Sequence, residues 1–224
     1  MLEVLKESWS EFLVQLKPLV IATLPWIVAV VALSAVSTVF SEKLNGFVEF
    51  LLSAVEMILQ AMVAFAGLQV LFKSRGEAVE VTSAKIIIYI MAAAYIGIAT
   101  MLGMMIFIIL GVIIMAASFF APIYILQENQ GPIEAVASSA SLLQGRVFRV
   151  TFLLCGVWLA IYAIEYVLIL VFGMLPISGI IANIVTSGLV QIIGLMTLPV
   201  MVQFKTHLVA EQSKKIQPMP DSAG

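Results

Sequence analysis

The stretch from residue 86 to residue 126 contains no Asp, Glu, Lys or Arg, and this run constrains the fold more than any other feature. A helix rises 1.5 Å per residue and needs roughly twenty apolar residues to cross about 30 Å of hydrocarbon. One helix cannot use the whole run. It therefore predicts a hairpin of two spans, 86–108 and 112–127, turning near Leu110 and Gly111, with Gly103 as a second turn position. Small residues four apart, Ala93/Gly97, Ala99/Gly103 and Ala117/Ala121, let helix backbones approach closely there.

The rest of the chain follows the same rule. Of 224 residues, 62% are hydrophobic and 11% are charged, whereas a soluble domain carries roughly a quarter charged residues to solvate its surface. The strict alternation of a transmembrane barrel is missing. Further apolar blocks at 18–40, 48–72, 147–172 and 180–206 bring the expected spans to six. They are separated by SEKLNGF (41–47), by KSRGEAVEVTSAK (73–85) and by a turn holding Pro176, Ser178 and Gly179. Pro25 predicts a kink in the first span and Trp26 a position among helices. The second span carries Glu49, Glu56, Gln60 and Gln69, which predicts an inner helix.

Two shorter segments read as helices in the headgroup plane. In residues 2–17, Leu2, Leu5, Trp9, Phe12, Leu13 and Leu16 share one face, with Glu3, Lys6, Glu7, Ser10 and Lys17 elsewhere, and Pro18 allows a change of direction. Glu3, Glu7 and Glu11 differ from the basic start of a cleavable signal peptide, so the segment reads as part of a retained anchor. In 132–145, Gly131 and Pro132 start a helix, Glu134 sits in its first turn, Gly145 ends it, and Ile133, Val136, Ala137, Ala140 and Leu143 form an apolar stripe. The expected architecture is an all-α, polytopic membrane helix bundle of about six transmembrane helices plus two short interfacial amphipathic helices. Residues 1–17 form the first interfacial helix, 18–208 the transmembrane domain including 132–145, and 209–224 a cytoplasmic tail whose end, PMPDSAG, has a disorder-prone composition.

Positive charge sets orientation. With the N-terminus inside, Lys6, Lys17, Lys73, Arg75, Lys85, Arg146, Arg149, Lys205, Lys214 and Lys215 fall on the cytoplasmic side, against Lys43 outside. Such asymmetry needs an even number of spans and puts both termini in the cytoplasm.

Chemistry-bearing residues are sparse. A formal charge of −2 gives no basic field for nucleic acid. The single cysteine, Cys155, excludes an intramolecular disulfide and a Cys-based metal site. His207 has no ligand partners in sequence and reads as an interfacial side chain. Ser138, Ser139 and Ser141 lack a nearby base for nucleophilic catalysis, and neither a phosphate-binding Gly loop nor a metalloprotease helix is present. No enzyme activity, cofactor or metal is expected. Glu56 and Glu165 lie about two turns from the outer ends of their spans, at similar depth, with Glu49 seven residues before Glu56 on nearly the same face. They read either as a proton- or cation-binding pair, or as protonated acids bonded to neighbours such as Asn183 or Gln191. Lys73, Arg75, Lys85, Arg146 and Arg149 read either as topology determinants alone or as a collar for anionic headgroups.

The segment FFAPIYILQENQGPIEAVASSASLLQGRVFRV, residues 119–150, resembles the YciC family of bacterial inner-membrane proteins and the related membrane domain attached to some glycerophosphodiester phosphodiesterases. The shared pattern is carried here by Ala121-Pro122, Glu128, Gly131, Ala135, Ser139, Leu142, Gly145 and Phe148-Arg149. The chain departs from it in the preceding hairpin, where the family's Pro-Gly is Leu110-Gly111. The resemblance implies a multi-pass protein of the bacterial inner membrane concerned with envelope or lipid homeostasis. No phosphodiesterase catalytic domain lies within these residues. Membrane lipids, anionic ones included, and other membrane proteins are the expected partners. The alternative is a small transporter or channel using Glu56 and Glu165.

Overall fold

The computed structural model describes residues 2–40, 45–77, 79–173 and 179–216, and every regular element among them is a helix. Nine are described: α1 (Leu2–Phe40), α2 (Gly46–Ser74), α3 (Ser83–Ile106), α4 (Ile108–Ala117), α5 (Ala121–Glu128), α6 (Pro132–Leu142), α7 (Val147–Gly173), α8 (Gly179–Gly194) and α9 (Thr197–Ile216). They supply six segments long and apolar enough to cross a membrane: Val4–Phe40, Gly46–Ser74, Ser83–Ile106, Ile108–Glu128, Val147–Phe172 and Ile184–Ser213. The protein is an all-α, multi-pass membrane bundle. The expected turn residues Ser41–Leu44, Pro176 and Ser178 lie outside the described residues, as do the side chains of Leu2, Glu3, Asn183, Lys214 and Lys215.

The first interfacial helix does not separate from the first span. α1 runs unbroken through Pro18 and Pro25, although each proline removes one helical hydrogen bond. One continuous face explains this. Val4, Ser8, Phe12, Leu19, Thr23, Ile27 and Val30 are all buried, and packing along the whole face holds the helix across both prolines. Two hydroxyls on it are satisfied internally: Ser8 donates to the Val4 carbonyl at 2.6 Å and Thr23 to that of Leu19 at 2.8 Å. Trp9 and Leu13, on the apolar face expected to lie in the headgroup plane, are about half exposed. Trp26 is only partly buried and packs at the core's edge.

The 86–126 run forms the hairpin, but its turn is at Phe107, where the backbone is extended (φ −160°, ψ 121°). Neither glycine makes the turn. They sit four residues to either side, and a Cβ on Gly103 would lie 2.9 Å from the Gly111 Cα. The pair lets α3 and α4 touch through their backbones.

α2 is an inner helix only over its second half, where Ala61–Val63, Phe65, Gly67, Leu68, Leu71 and Phe72 are buried. Glu49, in its first turn, is exposed. The second expected interfacial helix forms as α6, shorter than 132–145 and rotated. Its buried residues are Ala135, Ser139 and Leu142, whereas Ile133 is exposed. The Glu134 carboxylate accepts from the Gly131 N–H at 3.2 Å, closing the N-terminus. At the other end of the chain, α9 carries helix to Ile216, well into the expected tail.

Candidate functional site

Two of the six spans are interrupted. The fourth breaks at Ser118–Phe120, between α4 and α5, and the sixth at Leu195–Met196, between α8 and α9. A broken helix in hydrocarbon leaves backbone groups that need other partners. Ser139 of α6 repairs the first break. Its buried hydroxyl accepts from the Phe120 N–H at 3.0 Å and donates to the Ala117 carbonyl at 2.6 Å. At the second break the Thr197 hydroxyl donates to the Gly194 carbonyl at 2.7 Å. The Phe120 and Phe204 rings stack with centroids 6.1 Å apart, tying the half-helices beyond the breaks together. Pro122 and Pro199 sit just past the two breaks, as expected where a proline starts a helix.

Both breaks border cavities. The first cavity, of about 770 Å³, lies among α2, α3, α4, α5 and α7. Its wall includes five methionines, Met57, Met101, Met104, Met105 and Met115. These are unbranched and polarizable side chains that adapt to irregular apolar shapes. Its polar lining is Gln60, Tyr89, Thr100 and Ser118, without a charged residue. The Thr100 Oγ1 is buried and has no hydrogen-bond partner among the described residues. Met101 and Met105 are largely exposed, so the cavity opens at the side of the bundle, at the depth of the hydrocarbon.

A second cavity of about 300 Å³ shares Gln60, Ala64 and Trp158 with the first and reaches Ile161, Gln191 and Gly194. Neither intramembrane acid lines it, but each is one turn from a residue that does. Glu56 is one turn before Gln60 on α2, and Glu165 is one turn after Ile161 on α7. Gln60 Nε2 donates to Glu56 Oε1 at 3.5 Å. No hydrogen bond joins Glu56 to Glu165. Glu165 is partly buried and has no hydrogen-bonding or ionic partner among the described residues. Glu49 lies two turns beyond Glu56 and bonds neither acid. Gln191 lines the smaller cavity without bonding either carboxylate.

The basic residues gather at the opposite end of the bundle, and most are engaged within it. Arg75 makes a two-pronged ion pair with Glu11, at 2.8 Å from Nε and 2.6 Å from Nη2, and Gln203 donates to the same carboxylate at 2.9 Å. Arg146 pairs with Glu211 at 3.0 Å, and His207 also contacts Glu211 at 3.3 Å. Lys85 donates to the Leu126 carbonyl at 3.3 Å. Lys205, counted for orientation but not among the five collar residues, meets Glu128 at 3.2 Å and Gln127 at 3.0 Å and lies 3.9 Å from the Tyr124 ring centroid. Gln127 in turn donates to Glu77. Of the five collar residues, only Lys73 and Arg149 are exposed and lack an ion pair among the described residues. Among those residues no cluster of three or more His, Cys, Asp and Glu side chains gathers.

The chain matches no protein-family model, no curated protein and no solved structure. What can be said of function therefore rests on its own residues. Ser139 is committed to the helix break, and Ser141 donates to the Ser138 carbonyl at 2.8 Å. Both hydroxyls are bonded to backbone groups in these contacts.

Proposed function

We propose that this protein is a non-catalytic, lipid-binding protein of the bacterial inner membrane, acting in envelope or lipid homeostasis by holding a lipid chain in the methionine-lined cavity. One observation carries the reading: a cavity of about 770 Å³ with a flexible apolar wall opens sideways among the spans. Its size falls within the range of small-molecule sites, and its natural occupant at that depth is hydrocarbon. The likeness of residues 119–150 to the YciC pattern supports the same setting. The concentration of Lys and Arg at one end supports placing that end, with both termini, in the cytoplasm.

The test is lipid extraction and mass spectrometry of the purified protein, alongside titration with a fluorescent acyl-chain analogue. Ala93 lines the cavity, and Ala93→Phe fills it with an apolar group. At least fivefold weaker probe binding in a variant that keeps its far-UV CD and its elution as a single species supports the reading. Equal binding in wild type and variant rejects it.

A second reading, a small transporter or channel, is favoured by the paired interruptions in the fourth and sixth spans. Interrupted helices at mid-membrane commonly build ion and substrate sites. The small cavity at the sixth-span break is lined by Gln60 and Ile161, which lie one turn from Glu56 and Glu165 respectively. Proton and cation flux in proteoliposomes, lost on Glu56→Gln with Glu165→Gln while folding is retained, would favour this reading. Flux no greater than in empty liposomes removes it for those ions.

A further inference from the structure

A third cavity, of about 750 Å³, separates the N-terminal part of α1 from α7. Leu5, Trp9 and Phe12 form one wall, and the α7 face from Phe152 through Gly156 and Ala160 to Ile164 forms the other. That face runs about 18 Å along the helix at 1.5 Å per residue. None of its lining residues is charged. Phe152 is 79% exposed, so this too is a lateral groove rather than a closed void.

The end of the groove nearest the charged end of the bundle has a different chemistry. Arg149 lies three and four residues before Phe152 and Leu153 and seven before Gly156, on the same face of α7. It is exposed and has no ion pair among the described residues. One turn earlier, Arg146 is engaged within the bundle, giving Nη2 to Glu211. Arginine forks match phosphate oxygens in charge and geometry. Trp9 adds an amphipathic ring of the kind enriched at the membrane interface.

We infer that the α1–α7 groove is a site for an anionic phospholipid, with one acyl chain along Phe152–Ile164 and the phosphate held by Arg149. The charge pattern selects this occupant. An apolar slot ending beside the unpaired, exposed Arg149 fits an amphiphile with an acidic head, whereas the methionine-lined cavity carries no charge to select one. The site uses different residues from that cavity, so either can fail without the other.

The experiment is native mass spectrometry of the full-length protein titrated with phosphatidylglycerol and with phosphatidylcholine of the same chains. Wild type is expected to prefer phosphatidylglycerol about fivefold or more. Arg149→Gln, which breaks no bond within the described residues, should abolish that preference, while Lys73→Gln should leave it intact. A Cβ on Gly156 meets nothing within 4 Å, so Gly156→Leu fills the groove without a clash at that atom and should weaken phosphatidylglycerol binding. If Gly156→Leu does not fold, Ala160→Phe makes the same test. Ala93→Phe should retain the preference, separating this site from the cavity of the proposed function. The inference is overturned if wild type shows no preference, if Arg149→Gln keeps it, or if the folded groove-filling variant binds as wild type does. Inorganic phosphate competing as well as the lipid would also overturn it, since the chain would then contribute nothing.

Discussion

Arg75 and Glu11 lie 64 residues apart in the chain and form a two-pronged ion pair, Nε to Oε1 at 2.8 Å and Nη2 to Oε2 at 2.6 Å. The side chains retain 21% and 15% of their exposure, so water screens the pair only in part. The contact fastens the N-terminal turns of α1 to the end of α2, and Gln203 brings α9 to the same carboxylate. Removing one partner of a fully buried pair costs about 3–5 kcal/mol, and residual exposure lowers that to about 1–3 kcal/mol here. Glu11→Gln is therefore expected to lower the thermal midpoint in detergent. Arg75→Lys should recover little, because a lysine cannot reproduce the fork. A double-mutant cycle with no measurable coupling between Glu11 and Arg75 would show that α1 is held by its apolar face alone.

Ser139 carries a structural load that its small size conceals. Its hydroxyl is the hydrogen-bond partner of the Phe120 N–H and of the Ala117 carbonyl at the break in the fourth span. Ser139→Ala strands both groups in an apolar setting, at about 1–3 kcal/mol for a buried unsatisfied group. Ser141→Ala, at an exposed position, should shift stability by no more than about 0.5 kcal/mol. Denaturant titration of the two variants side by side checks the contrast, and equal losses would remove the role assigned to Ser139.

Gly111 is where α3 and α4 come nearest. A Cβ there would lie 2.7 Å from the Met104 nitrogen and 2.9 Å from the Thr100 carbonyl oxygen, both backbone atoms that cannot swing aside. Gly111→Ala is expected to cost at least the 1–3 kcal/mol typical of overpacking, roughly speaking, and to pry the hairpin apart. Gly188→Ala is the control, since a Cβ at Gly188 meets nothing within 4 Å. If the two variants melt together, the close approach is not what holds the hairpin.

The number and order of spans were legible because hydrocarbon thickness imposes a length that apolar blocks reveal directly. Which face of a helix packs inward was not. In water the most hydrophobic stripe marks the core, but in a membrane both sides are apolar and contact favours small residues instead. That is why Ala135 and Ser139, rather than Ile133 and Ala137, face the bundle in α6, and why Ser8 is buried on α1 while Leu13 is not. The same physics gives a packing role to three residues of the YciC-like pattern, Ala135, Ser139 and Leu142, all buried. Counting residues places Glu56 and Glu165 at an expected similar depth, but a bond between them depends on neighbouring helices, and none forms between them. The break in the sixth span left only Gly194 and Pro199 as signals, inside a block otherwise continuous in hydrophobicity.

The alternation of six spans fixes which loops share a side, and cysteine labelling can read this directly. Cys155 is exposed on α7, so the background is Cys155→Ser. Lys6, Glu80 and Asn129 are exposed and lie respectively at the N-terminal end of the first span, between the second and third, and after the fourth, whereas Phe107 marks the turn between the third and fourth. Single cysteines at the first three positions should react with a membrane-impermeant maleimide from one side of sealed vesicles, and Phe107→Cys only from the other. With positive charge collected around the first three positions, that shared side is expected to be the cytoplasmic one. Labelling of Phe107→Cys and Glu80→Cys from the same side would mean that the third span does not cross, and the hairpin would then have to enter and leave through one face of the membrane.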